Sequence, residues 1–196
     1  MRIGLFGGTF DPPHNGHLAL ARACKKELAL DELLFVPAAQ NPLKANGPQA
    51  SAHDRLTMLG LLVAGEDGMG VLDLEIQKGG RSYTVDTLSD LTLVQPADYW
   101  FLLGADALNG FGEWKDPRKI LRLARLGVVL RPSQADADVV TRFAEPFRDR
   151  IDLVRMAPIA ISATEIRARV ARGQTIAPYV PQAIHAYIEE KGLYNH

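Results

Sequence analysis

Arg2-Ile3-Gly4-Leu5-Phe6-Gly7-Gly8-Thr9-Phe10-Asp11-Pro12-Pro13-His14-Asn15-Gly16-His17 is the stretch on which the fold turns. Arg2 to Phe6 is a short run of strand length, apolar on both faces as a parallel strand between two helix layers must be. The glycine pair Gly7-Gly8 ends it. A helix is predicted from about Gly16 or His17 to Leu28, with Leu18, Ala21 and Leu28 inward and Lys25, Lys26 and Glu27 outward. In open α/β sheets the crossing from strand to helix binds phosphates, because the helix start offers free backbone N–H groups and a partial positive charge. Neither a dinucleotide fingerprint nor a Walker A lysine motif fits this crossing. His14 and His17 stand there instead, three residues apart, so both imidazoles share one side of the first helical turn and two N–H donors converge.

Outward from this stretch, short apolar runs alternate with longer segments of helical period, the rhythm of repeated βαβ units. Further strands are predicted at Glu32 to Val36, Met69 to Leu74, Tyr99 to Leu103, Leu126 to Leu130 and Asp152 to Arg155. Ser51 followed by Asp54 opens a second helix with Leu56, Leu59, Leu62 and Val63 as its apolar stripe, and Asp116 before Pro117 opens another. Ser162 followed by Glu165 is a capping box with Gly173 as the stop, and Pro181 to Lys191 forms the last helix, capped by Gly192. Ala38 to Gln49 has no periodicity and reads as a loop. The expected fold is α/β: a single doubly wound, Rossmann-like domain over residues 1–196, with a mostly parallel sheet flanked by helices.

Composition narrows the function. With 22 Lys and Arg against 23 Asp and Glu the formal charge is −1, so the basic footprint of a nucleic-acid binder is absent. Cys24 is the single cysteine, too few for an internal disulfide or a cysteine zinc cluster. There is no charged n-region with a long apolar h-region, and no apolar run near the ~18 residues of a membrane span. No membrane partner and a cytoplasmic location are therefore expected; a homo-oligomer stays open.

The run Gly7 to His17 and the distant Ile161-Ser162-Ala163-Thr164-Glu165-Ile166-Arg167 resemble the two signature motifs, GGTFDPxHxGH and ISxTxIR, of the HxGH nucleotidylyltransferase superfamily, and within it of the nicotinate-nucleotide adenylyltransferase family. Ser82-Tyr83-Thr84-Val85-Asp86-Thr87-Leu88, Phe101-Leu102-Leu103-Gly104-Ala105-Asp106 and Trp114 are similar to the same family, so the resemblance spans the chain. One departure is Pro42-Leu43-Lys44, where relatives often carry a Pro-His-basic triplet; it leaves Lys44 as the basic candidate.

The resemblance implies transfer of the adenylyl group of ATP to nicotinate mononucleotide, by direct attack of the mononucleotide phosphate, with Mg²⁺ bound mainly by the phosphates. Such a transfer asks for positioning and charge neutralisation rather than a nucleophilic side chain. His14, His17 and Arg167 are then the catalytic donors, with Gly7, Gly8, Thr9, Phe10, Gly104, Asp106, Ser162 and Thr164 completing the ATP site. Lys44, Ser82, Tyr83, Thr84, Asp106 and Trp114 are the mononucleotide candidates. No acidic cluster names protein ligands for a metal.

Several of these residues have two readings. Asp11 is a turn cap or a substrate contact, and Phe10 is core or site. Asp106 is a turn residue or a contact to ribose or amide, Trp114 a core aromatic or a stacking platform, and Lys44 a solvated charge or a ligand. Ser162 serves as N-cap and anion site together. Cys24 reads as a small packed side chain, His53, His185 and His196 as surface or capping residues, and Arg142 to Arg150 as a solvated helix face. The rival functions are transfer to another acceptor (pantetheine phosphate, a polyol phosphate or nicotinamide mononucleotide) and a non-catalytic nucleotide sensor on the same fold.

Overall fold

The computed structural model describes residues 1–42, 47–130, 147–157 and 160–195, without the side chain of Asp106. Its strands are β1 (Arg2–Gly8), β2 (Glu32–Pro37), β3 (Met69–Val71), β4 (Asp98–Gly104), β5 (Ala124–Leu130) and β6 (Ile151–Arg155). The helices are α1 (Asn15–Glu27), α2 (Ala52–Val63), α3 (Leu74–Lys78), α4 (Thr84–Val94), α5 (Ala105–Asn109), α6 (Pro117–Leu123), α7 (Ala163–Ala171) and α8 (Gln182–Lys191). Among the described residues the strands form one all-parallel sheet in the order β3-β2-β1-β4-β5-β6. This is the doubly wound order, and it reverses between β1 and β4.

Strand alternation sorts the core into two layers. Ile3 and Leu5 of β1, Tyr99, Phe101 and Leu103 of β4, and Leu126, Val128 and Leu130 of β5 pack with Val85, Leu88 and Leu91 of α4 and with Ile120 and Leu121 of α6. The opposite face carries Phe6, Trp100, Leu102 and Val129 against Ala21 and Cys24 of α1, Met58, Leu59 and Leu62 of α2, Ile166 of α7, and Ile184 and Ile188 of α8. Gly4 and Gly127 lie on that second face. A Cβ on either would come within 2.6 Å of Leu30 or Leu102 respectively, so their bareness lets these leucines lie flat on the strands.

The expected elements are present, with four corrections. β3 ends at Val71 rather than Leu74, and Leu74 instead opens the five-residue α3, too short for its period to be read. The buried stripe of α2 is Arg55, Met58, Leu59 and Leu62; Leu56 and Val63 are only half-buried. Helix α1 starts at Asn15, and α5 is a second short helix that the sequence did not signal. The capping signals did place the starts of α2, α7 and α6. The Ser51 hydroxyl accepts from the Asp54 N–H, the Ser162 hydroxyl from the Glu165 N–H, and the Asp116 carboxylate from the Lys119 N–H. Gly173 and Gly192 take the left-handed conformation just past α7 and α8. Cys24 is buried, His53 is exposed, and His185 faces Glu189 across one turn. Lys44, His196 and the first part of the Arg142 to Arg150 cluster lie outside the described residues; Arg148–Arg150 is a short 3-10 turn before β6. No helix among the described residues is long and apolar enough to cross a membrane.

Candidate active site

At the reversal point the carboxyl ends of β1 and β4 part, and a cavity of about 470 Å³ opens between them. Phe6, Gly7 and Gly8 from β1 and Phe101 to Gly104 from β4 form its floor. Ala38 and Asn41 follow β2 on one flank, and Ser82, Tyr83, Thr84 and Trp114 close the far end. Bare glycines are required on the floor. A Cβ on Gly7 would stand 2.8 Å from the Phe101 ring and one on Gly8 2.7 Å from the Phe10 ring.

The two histidines build the start of α1 in an unusual way. His14 is its N-cap: the His14 Nδ1 accepts from the His17 N–H at 3.3 Å, and the His17 Nδ1 accepts from the His14 N–H at 3.2 Å. Two imidazoles thus form a reciprocal capping box, and the rings stack at 3.6 Å between centroids. Because each Nδ1 accepts, the proton of each neutral ring sits on Nε2, where it can be donated. Burial holds the His14 imidazole down at about 4, so it is neutral near pH 7, while its own backbone pulls weakly the other way. Neither histidine lines the cavity beyond Gly7 and Gly8.

Phe10 belongs to the core. It is 2% exposed, and its ring meets Phe6, Phe35 and His17 edge-on at 5.0–5.6 Å. Its backbone is left-handed, with φ 52, a conformation that costs a non-glycine residue about 1–2 kcal/mol and is held by that packing. Asp11 is buried as well, and neither reading of it from the sequence described its job. Its carboxylate accepts from the Gln49 and Ala50 N–H groups and from the Tyr194 hydroxyl, at 2.7, 3.0 and 2.8 Å. It therefore fastens the loop before α1 to the approach to α2 and to the residues after α8.

Two arginines complete that fastening. Arg167 of α7 donates from Nη1 to the Asp11 carbonyl at 2.6 Å, which joins the second motif to the first. That bond occupies one of the five N–H donors of the guanidinium. Arg55, 1% exposed, donates from Nη1 to the carbonyls of Thr9 and Ala38, each at 2.8 Å. Sequence reasoning missed Arg55; its position in register with Met58, Leu59 and Leu62 on the buried stripe was the available signal.

At the second motif, Ser162 and Thr164 are exposed at the start of α7, outside the cavity lining. Gly104 is the N-cap of α5 and Asp106 its second residue. Tyr83 is the N-cap of α4 and contributes no side-chain cap, so the Ser82–Thr84 segment offers a helix start to the cavity. Trp114 is half-buried in the wall, edge-on to Phe101 at 5.5 Å and tilted against Phe111 at 5.3 Å. Lys115 beside it, also missed, lies 4.6 Å from the centre of the Tyr83 ring and is paired to Asp86 at 2.7 Å. Among the described residues no three His, Cys, Asp or Glu side chains gather as a metal site. A glycine floor at the carboxyl end of β1, an imidazole-capped helix start following it in the chain and an aromatic far end stand at the sheet reversal, the place where open α/β sheets hold ligands.

Comparison with known proteins agrees. The sequence profile of the cytidylyltransferase-like family matches residues 5–169, so the chain belongs to that family. Within it the chain stands among the nicotinate-nucleotide adenylyltransferases. It is 42% identical to a protein of Thermomicrobium roseum over 98% of this chain and 91% of that one, and 42% identical to one of Bordetella avium over 98% of each; both are described as "Probable nicotinate-nucleotide adenylyltransferase". The fold matches the nicotinic acid mononucleotide adenylyltransferase of Plasmodium falciparum, solved in complex with NaAD, with a TM-score of 0.81 at 19% identity over 99% of this chain and 97% of that one.

Proposed function

We propose that the chain transfers the adenylyl group of ATP to nicotinate mononucleotide, giving nicotinate adenine dinucleotide and pyrophosphate. One observation carries this reading: a single cavity at the sheet reversal joins a glycine floor beside the α1 start to an aromatic wall beside an uncapped helix start. The first end suits a triphosphate, and the second suits a pyridine ring bearing a carboxylate.

In the reaction a phosphate oxygen of the mononucleotide attacks the α-phosphorus of ATP. The bond from that phosphorus to the bridging oxygen of the β-phosphate breaks, and pyrophosphate leaves with the electron pair. The protein's part is alignment and charge neutralisation. His14 and His17 donate from Nε2 to the phosphates, Arg167 adds guanidinium N–H groups, and Ser162 and Thr164 add hydroxyls at the α7 start. Gly7, Gly8, Thr9 and Gly104 bring backbone close to ATP, and Phe10 acts there only through its packing. Asp106 takes a ribose, Trp114 stacks on the pyridine, and the helix start at Tyr83 and Thr84, with Ser82 just before it, receives its carboxylate. Lys44 remains a candidate for the acceptor phosphate. Mg²⁺ would accompany ATP through its phosphates and would supply further positive charge there, beside the donors of His14, His17 and Arg167. The whole chain acts as one catalytic unit, in the cytoplasm where ATP is at hand.

The test is a panel of phosphorylated acceptors with ATP and Mg²⁺, read by pyrophosphate release. Nicotinate mononucleotide should be the best acceptor, and ATP alone should give none. Faster release with pantetheine phosphate or a polyol phosphate would reassign the substrate, and binding of ATP with no release on any acceptor would leave the sensor.

A further inference from the structure

Glu75 is a buried carboxyl group in the wall of the cavity. It sits on α3, the short helix between β3 and the loop that leads to α4. The Thr87 hydroxyl donates to its Oε1 at 2.6 Å, and Ser82 lies close enough to the same carboxyl to favour its charged form. Those two residues flank Tyr83 and Thr84, one just before the α4 start and one within its first turn. Ser82 in turn accepts from the Ala39 N–H at 2.9 Å through its hydroxyl, and its own N–H donates to the Gln40 carbonyl at 2.9 Å. The Ala38 N–H donates to the Gly8 carbonyl at 2.9 Å, so these bonds tie Ser82, just before the α4 start, to the glycine floor.

Tyr83 gives α4 no side-chain cap. A helix start without a cap frays, and its N–H groups lose their common direction. Glu75 supplies the missing restraint from behind, by holding the residues on both sides of the cap rather than the cap itself. Burial pushes the carboxyl up, while Thr87, Ser82 and the charge of Lys78 pull it down. The Thr87 hydroxyl proton is directed to Glu75.

We propose that Glu75 is a positioning residue for the mononucleotide end of the cavity: through Ser82 and Thr87 it fixes the Tyr83–Thr84 helix start that receives the pyridine carboxylate. It thereby sets the KM for the mononucleotide and the preference for acid over amide, not the rate of adenylyl transfer. The inference rests on the proposed function and adds to it a residue outside both signature motifs.

The experiment uses the full chain and steady-state kinetics, with ATP, nicotinate mononucleotide and nicotinamide mononucleotide each varied. Glu75→Ala should raise the KM for nicotinate mononucleotide about tenfold, the effect of losing one to two net hydrogen bonds. The acid-to-amide ratio of kcat/KM should fall with it, while kcat and the KM for ATP stay within about twofold. Glu75→Gln keeps one acceptor oxygen and should recover most of the loss. Thr87→Val, which removes a donor at nearly constant volume, should move the same KM about threefold in the same direction. Melting temperatures identify folded variants, and Thr87→Val and Glu75→Gln carry the test if Glu75→Ala does not fold. An unchanged KM for nicotinate mononucleotide in the folded variants would overturn the role of Glu75 alone, as would equal rises for both substrates. A wild type that forms no dinucleotide from ATP and nicotinate mononucleotide would overturn the functional reading and this inference together.

Discussion

His14 and His17 each hold two jobs, and the jobs are separable by measurement. As reciprocal caps they are worth about 1 kcal/mol of stability; as phosphate donors each is worth about 3–4 kcal/mol, or 10²–10³ in rate. His17→Ala should therefore lower kcat by about 10²–10³ while costing only a few degrees of melting temperature. A large drop in melting temperature, with activity restored on cooling, would show His17 to be structural. For His14 the sign of the pH effect follows from its depressed value of about 4, against 6.5 when unfolded. The unfolded chain binds the proton first, so the contribution is complete above pH 6.5 and is lost as pH falls toward 4. Stability by denaturant titration should drop by about 2 kcal/mol between pH 7.5 and pH 5 on this account. His14→Asn, which still accepts at the N-cap, should abolish that part of the slope; an equal slope in the variant would refute it. Both histidines and the glycine pair were legible because their spacing alone places them at a strand–helix crossing. Phe10 and Asp11 were legible as important but not as to role, since a ring turned into the core and a carboxylate holding three donors are fixed by distant partners. Glu75 went unread because a lone charge in a five-residue helix shows nothing of burial, and Arg55 because its register with Met58, Leu59 and Leu62 was passed over when the stripe was set on Leu56.

For the elements, the α4 start is where acid and amide should part. Backbone N–H groups at a helix start favour a carboxylate over a carboxamide, whose NH₂ would face other donors. One charge-assisted bond gives roughly 10–150-fold discrimination. Trp114 meets either pyridine ring by the same face, so Trp114→Ala should lower kcat/KM for both mononucleotides and keep most of their ratio. Equal efficiency on acid and amide in the wild type would remove the helix-start argument. Helix starts with side-chain caps were legible, as Ser51, Asp116 and Ser162 show, because the cap is a local signal. The α3 start was not, since Asp73 makes no side-chain cap bond and five residues carry no period. The α2 stripe was misplaced because Leu56 and Val63 look as apolar as Met58 and Leu59, and helix rotation is set by what the helix packs on.

At the scale of the molecule, the two motifs at opposite ends of the sequence meet because the sheet reverses at β1. Arg167 reaches the Asp11 carbonyl from α7, and Tyr194, beyond α8, reaches the Asp11 carboxylate. The alternating pattern made the doubly wound fold legible; the clamp on Asp11 was not, as its members lie up to 183 residues apart. Tyr194→Phe should cost about 1 kcal/mol by chemical denaturation, since Asp11 keeps its two backbone donors. Asp11→Ala orphans both N–H groups as well and should cost at least twice as much; equal costs would show the clamp to be incidental. Adenylyl transfer itself is tested most directly with ATP labelled at its α-phosphorus, incubated with Mg²⁺, nicotinate mononucleotide and the wild-type chain. The label should pass into nicotinate adenine dinucleotide, with one pyrophosphate released for each dinucleotide formed. Label that stays in ATP or appears only as AMP, with no dinucleotide, would contradict the assignment.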